Sequence, residues 1–242
     1  MKKNSKFSFA FALAGLFLVL SCNNAEEKKE EPVVSNADTT ASAPAPVAPA
    51  KPANLAIIKH KVSDFAKWLP LFESHDTARL RYGLHNFMIG RGVKDSNMVL
   101  VALWMDDYEK AKAFTDLPDL KAAMQKGGVV GKPEISFMDM QMLDSSIHKS
   151  SIRMMVTKQV KDYDAWKASF DSHKQVRIDA NMTDRAIGYE MGNNKKVSVV
   201  TLVNDLAKAE AFSTSKELKD RMQEAGVEGQ PTIFFYRMAK KY

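Results

Sequence analysis

Residues 57–137, moved along the chain by 98 positions, fall on residues 155–235 without a gap, and about 26 of the 81 pairs are identical. An ungapped match over that length is the mark of one structural unit used twice. Val62, Asp64, Trp68, Phe72, Ser74, His75 and Arg79 meet Val160, Asp162, Trp166, Phe170, Ser172, His173 and Arg177. Near the ends of the copies, Gly128, Gly131, Pro133, Ile135 and Phe137 meet Gly226, Gly229, Pro231, Ile233 and Phe235. Two units are expected, over 54–143 and 151–242, joined by a short polar connection near Asp144 to Ser150.

Each copy opens on a β-branched and apolar run, Leu55 to Val62 or Ile152 to Val160, followed by Asp64 or Asp162 as a helix N-cap. Phe65, Trp68, Phe72, His75 and Arg79 then keep the spacing of one helical face. Two strands follow around a polar turn, Lys94-Asp95-Ser96-Asn97 or Gly192-Asn193-Asn194-Lys195. Asp107 or Asp205 caps a second helix that ends at Gly128 or Gly226, and a last strand begins beyond Pro133 or Pro231. The fold class is therefore α+β, built from two tandem ferredoxin-like βαββαβ units. A single four-stranded sheet leaves a face and edges uncovered, so the units are expected to pair within the chain and leave it a monomer.

The first 53 residues read differently. Lys2, Lys3 and Lys6 precede an apolar run from Phe7 to Leu20, too short to span a bilayer comfortably. The run ends in Val19-Leu20-Ser21-Cys22, and Cys22 is the only cysteine, which excludes a disulfide framework or a Cys-based zinc site. This stretch resembles the lipobox of bacterial lipoproteins. The resemblance implies a signal peptide over 1–21, lipidation of Cys22, and a membrane partner reached through the lipid anchor. Asn23, where an Asp would retain a lipoprotein at the inner membrane in Gram-negative sorting, implies the outer membrane of the cell envelope. The segment 22–53 holds five of the nine prolines and a Glu/Lys cluster, the composition of a solvated tether. The formal charge of +6 falls to +3 without residues 1–21, too weak and dispersed to argue for nucleic acid.

The pattern Val-x-Asp-aromatic-x-x-Trp, Phe-x-Ser-His-x-x-x-Arg, Ala-x-Ala-Phe and Gly-Val-x-Gly-x-Pro-x-Ile-x-Phe, present in both copies, resembles the antibiotic biosynthesis monooxygenase-like domains. These belong to the dimeric α/β barrel group, so the resemblance implies a barrel formed by two paired sheets. It also implies a small organic ligand, with cofactor-free oxidation or isomerisation of an aromatic or enolisable compound as the expected chemistry. It fixes no single reaction, because the group holds enzymes of several kinds and domains without one. A non-catalytic ligand-binding or interaction module of the envelope is the alternative.

His75 with Arg79, and His173 with Arg177, are the catalytic candidates: at a spacing of four both side chains share a helical face at the end of an apolar stripe. Arg would hold an anionic oxygen and His would move a proton near neutral pH. The competing reading is packing, with His bound to backbone and Arg to a nearby carboxylate. No cofactor or metal is expected. The haem-degrading branch of the barrel group uses a Trp and a His on the second helix, and neither 107–127 nor 205–225 contains one. Axial ligation by His75 or His173 is the haem role this leaves. Met138, Met140 and Met142 alternate as one strand face filled by Met rather than as copper ligands. Trp104, His60 and His85 have no counterpart in the second copy, which marks the first as the specialised one.

Overall fold

The computed structural model describes residues 51–242. The signal segment, Cys22 and the tether up to residue 50 lie outside the described residues. In the first half, β1 (Asn54–Val62), α1 (Phe65–Ser74), α2 (Asp76–Arg81), β2 (Leu84–Gly92), β3 (Met98–Met105), α3 (Tyr108–Thr115), α4 (Pro118–Lys126) and β4 (Val129–Leu143) follow in order. The second half repeats that order with β5 (Ile152–Val160), α5 (Tyr163–Ser172), α6 (Lys174–Asp179), β6 (Met182–Glu190), β7 (Asn193–Val203), α7 (Leu206–Ser213), α8 (Lys216–Glu224) and β8 (Val227–Lys241). Among the described residues no helix is long and apolar enough to cross a membrane.

The strands close into one antiparallel barrel in the order β1-β3-β2-β8-β5-β7-β6-β4. Closure depends on the two 15-residue strands. β4 pairs with β1 up to Met138 and then continues along β6, from Met138↔Glu190 to Leu143↔Ala186. β8 pairs with β5 and runs on along β2, from Gly92↔Tyr236 to Met88↔Lys241. Each long strand thereby covers the edge that the other half would leave open. Gly90 and Gly188, 98 positions apart, sit at these seams. A Cβ on Gly90 would run into the Tyr236 ring, and one on Gly188 would lie 2.9 Å from Met140 Sδ and 3.0 Å from the Asp139 carbonyl. Only a residue without a side chain admits those neighbours.

Strand alternation sorts the side chains onto two faces. Leu55 and Ile57 point into the barrel with Met88, Leu100 and Tyr236, whereas Ala56, Ile58 and Val62 point outward to the helices with Trp68 and Phe114. The helices start where the aspartates stand. Asp64 accepts from the Ala66 and Lys67 amides (2.8 and 3.2 Å), Asp107 from Lys110 (2.8 Å), Asp162 from Ala165 (2.8 Å) and Asp205 from Lys208 (3.0 Å).

Several elements differ from the sequence pattern. The helix expected from Phe65 through Arg79 breaks at His75 (φ −92°, ψ 12°), and its counterpart breaks at His173. The second helix of each half is also two pieces, with Pro118 opening α4 and Ser215 capping α8. Pro133 and Pro231 lie inside their strands rather than before them. The ladder is irregular there, with Lys61 opposite Val130 but Lys59 opposite Glu134, so the proline falls where no ladder bond is needed. A further irregularity between Met140 and Met142 divides the methionine row: Met138 and Met140 face the barrel interior, while Met142 packs with Val160 and Trp166.

Candidate functional site

Each half holds a cleft of about 80 Å³ between its helices and the outward face of its sheet. The first is lined mainly by apolar groups, among them Ile58, Trp68, Phe72 and Phe114, with His60, His75 and Arg79 as its polar members. Period two from Leu55 puts His60 on the same face as Ala56 and Ile58, a polar side chain on an apolar face. It is 5% exposed, and both ring nitrogens are buried without a hydrogen-bond partner among the described residues. Its ring meets Trp68 edge-on at 5.5 Å. Burial pushes its pKa down to about 4, so the ring is neutral at pH 7 and offers one donor and one acceptor.

Arg79 and His75 line the same cleft, with most of their polar groups already engaged. Arg79 is 3% exposed; its Nη1 donates to the Phe72 carbonyl (2.6 Å) and its Nη2 to Asp76 Oδ1 (3.2 Å). The guanidinium lies 3.9 Å from the centre of the Phe72 ring, and Nε is buried without a partner. Burial lowers the Arg79 pKa from the usual guanidinium range and Asp76 raises it in part. His75 Nδ1–H donates to the Leu71 carbonyl (2.8 Å), so that nitrogen is already engaged with backbone. His75 and Arg79 thus meet at the cleft as their spacing predicts, while also tying α1 to α2.

In the second cleft, His173 and Arg177 take the equivalent places. Arg177 is more fully engaged than Arg79: Nε and Nη2 form a bidentate pair with Asp184 (2.7 Å each), Nη1 donates to the Phe170 carbonyl (2.7 Å), and the group lies 3.5 Å over the Phe170 ring. At the position matching His60 stands Lys158, 7% exposed, with Nζ 4.8 Å from the Trp166 ring centre. Burial, with Arg177 adding to it, pushes its pKa down to about 7. Sequence reasoning passed over Lys158, although its place among Met154, Val156 and Val160 carries the same signal as His60.

The barrel interior is a different environment. Phe87 lines it with Trp104 packed against it (4.3 Å between ring centres), and Arg153 and Arg185 also line it, at positions that correspond to Leu55 and Phe87. Arg185 is bound by Asp144, Ser146 and His148 of the connection between the halves, and Arg153 donates to the Ser150 and Ile152 carbonyls. These cations hold the connection over one mouth. The other mouth is a roomier opening, about 520 Å³, bordered by Lys59, Lys132, Glu134 and Lys196. His85 lies outside both clefts, paired with Asp106 (2.7 Å). Among the described residues no group of three or more His, Cys, Asp or Glu is placed to hold a metal ion.

No protein-family profile and no curated protein matches the sequence. Solved structures do match in fold. A candidate monooxygenase from Fusobacterium nucleatum superposes with a TM-score of 0.52 at 12% identity, over 77% of this chain and 92% of that one. An anthrone oxidase-like protein superposes with a TM-score of 0.51 at 13% identity, over 78% and 92%. A haem-binding protein from Thermus thermophilus matches at a TM-score of 0.46 and 12% identity, over 78% and 92%. At these identities the likeness is one of fold.

Proposed function

We propose that the chain is an envelope lipoprotein, anchored through Cys22, whose barrel binds a small flat organic molecule in the first helix-side cleft. The observation that carries this reading is His60. A buried imidazole with neither nitrogen bonded costs stability, and such a group is retained where something else completes it. An apolar wall of Trp68, Phe72 and Phe114 around one neutral imidazole suits an aromatic or enolisable compound with one hydroxyl or carbonyl oxygen. Arg79 Nε is the second group without a partner and suits an oxygen that gains negative charge.

The chemistry this arrangement favours is proton transfer. The neutral His60 ring, which resists protonation until about pH 4, hydrogen-bonds the ligand oxygen rather than taking its proton; the acidic O–H or C–H proton leaves to solvent, and the guanidinium stabilises the resulting enolate or phenolate. Returning the proton to a different atom is an isomerisation; dioxygen, as a separate oxidant, would turn the same anion toward oxidation. The cavity of about 80 Å³ favours a small ligand over a bulky one. Non-catalytic binding is the second reading, favoured by the engagement of Arg79 with Phe72 and Asp76.

The test is a thermal-shift panel of small phenols and enolisable ketones on the full chain in detergent, beside His60→Phe. A ligand at a hundred times its Kd stabilises by about 2.7 kcal/mol. That gain is expected in the wild type and lost in His60→Phe. Ligands that stabilise both chains equally would remove the first cleft from consideration. Release of the chain from membranes by Cys22→Ser checks the anchor.

A further inference from the structure

Lys158 stands where the first half has His60, and the cleft proposed above gives it no role. Its side chain is more than nine-tenths buried, yet it has no ion pair among the described residues. The one carboxylate nearby, Asp184, is held by Arg177 through both oxygens. What surrounds Nζ is aromatic: Trp166 at 4.8 Å and Phe170 at 5.7 Å. The amine borders a cavity of about 80 Å³ that Met154, Val156, Phe212 and Met222 line with apolar groups. A lysine serving stability would be expected either to pair with an acid or to extend its ammonium into water.

We propose that Lys158 is a nucleophilic amine that captures a small aldehyde or ketone as an imine in the second cleft. The unprotonated Nζ adds to the carbonyl carbon to give a carbinolamine, and loss of water leaves the C=N bond. One amine and one carbonyl give one imine and one water, with no oxidant or reductant required. Desolvation in an apolar pocket and a neighbouring cation are the two means by which proteins activate a lysine for this step. Both are present here, the cation being Arg177. The charged and titratable groups that face the amine are His173 at the α5–α6 junction, Arg177 on α6 and Arg221 on α8, with Asp184 on β6 behind Arg177. The aromatic faces and the small volume select a carbonyl compound with a short apolar remainder. This inference concerns the second cleft alone and does not depend on the reading of the first.

The full chain in detergent at pH 7 is treated with butanal and cyanoborohydride, and butylated lysines are located by peptide mapping. An ordinary lysine, with a pKa near 10.4, is neutral at pH 7 in fewer than about one molecule in a thousand, so Lys158 is expected to label on the order of ten times faster than exposed lysines or more. Lys158→Arg should lose that label and keep the slow ones, and His60→Phe should leave it intact. Lys158→Met provides the same comparison without the charge. An unlabelled Lys158 beside reacting surface lysines overturns the proposal, and the wild-type map decides this even if neither variant folds. Excess butanoate distinguishes an anion pocket: protection of Lys158 by this carboxylate, which cannot form an imine, also overturns the proposal.

Discussion

In the first half, Trp68 and Phe72 close over a neutral imidazole; in the second, Trp166 and Phe170 close over an amine at the matching place on the strand. The groups that build the frame are the same in both, namely the capping aspartates, the buried tryptophan, the arginine stacked on phenylalanine and the seam glycine. The groups that differ are those with chemistry left to offer. His60 is replaced by Lys158, and an arginine with an idle Nε is replaced by one fully engaged with a carboxylate. The barrel interior shows the same division, with Leu55 and Phe87 on one side and Arg153 and Arg185 on the other. Identity between the halves therefore marks scaffold, and departure from it marks the places where each half can act.

The strongest test of a shared frame is to remove its largest side chain from each half. Trp68 and Trp166 are both buried in aromatic stacks, and either change to Ala should cost about 3–5 kcal/mol in denaturant melts. The two losses should agree within about 1 kcal/mol. A large inequality would mean that one half carries the stability of the other.

The arginines should break the symmetry instead. Arg177→Met leaves Asp184, whose side chain is 14% exposed, as an unpaired buried carboxylate, a loss of about 3–5 kcal/mol. Arg79→Met leaves Asp76, 44% exposed and still bonded by Asn86, for a loss of about 1–3 kcal/mol. Equal losses would show that the engagement of Arg177 with Asp184 adds nothing.

Next in size is a difference in the pH at which each cleft weakens the fold. The unfolded chain protonates His60 near 6.5, whereas the folded chain resists until about 4. The unfolded state therefore binds the extra proton between these values, and stability falls as pH drops from 6.5 to 4, by about 3 kcal/mol from this group. Lys158 acts at higher pH. The folded chain releases its proton near 7 and the unfolded chain near 10.5, so stability rises as pH increases between the two. His60→Phe should flatten the acid window alone and Lys158→Met the alkaline window alone, read as the difference in unfolding free energy from wild type at each pH.

Much of the frame was legible because its determinants are local. An Asp before a helical stripe caps it whatever lies beyond, and all four aspartates do so. The break at His75 was hidden because a single residue leaves the helix, and Phe72 and Arg79 keep the helical spacing across it. Pro133 and Pro231 were misplaced because a bulge, which the sequence does not announce, lets a proline sit inside a strand. His75 with Arg79, and His173 with Arg177, were legible as cleft neighbours because their spacing of four survives the break between the two short helices. Their engagement was not, since Phe72 and Phe170 offer them backbone carbonyls, and Asp184 lies on a different element from Arg177. His60 and Lys158 needed the barrel: alternation puts each on an apolar face, but only the packed helices turn that face into a cavity.

The smallest effect tests the frame where it looks most alike. Asp64 caps α1 with two amide bonds, from Ala66 and Lys67, whereas Asp162 caps α5 with one, from Ala165. Replacing either by Ala strands amides at a helix start and should cost about 1 kcal/mol. The second bond of Asp64 is the longer, at 3.2 Å, and both caps are exposed, so water recovers part of any lost bond. Asp64→Ala should therefore exceed Asp162→Ala by only a few tenths of a kcal/mol, a gap to be read from paired denaturant melts. A reversed order would place the stronger cap in the second half, because the weak ion pair with Lys67, 4.0 Å from Asp64, can only add to the cost of Asp64→Ala.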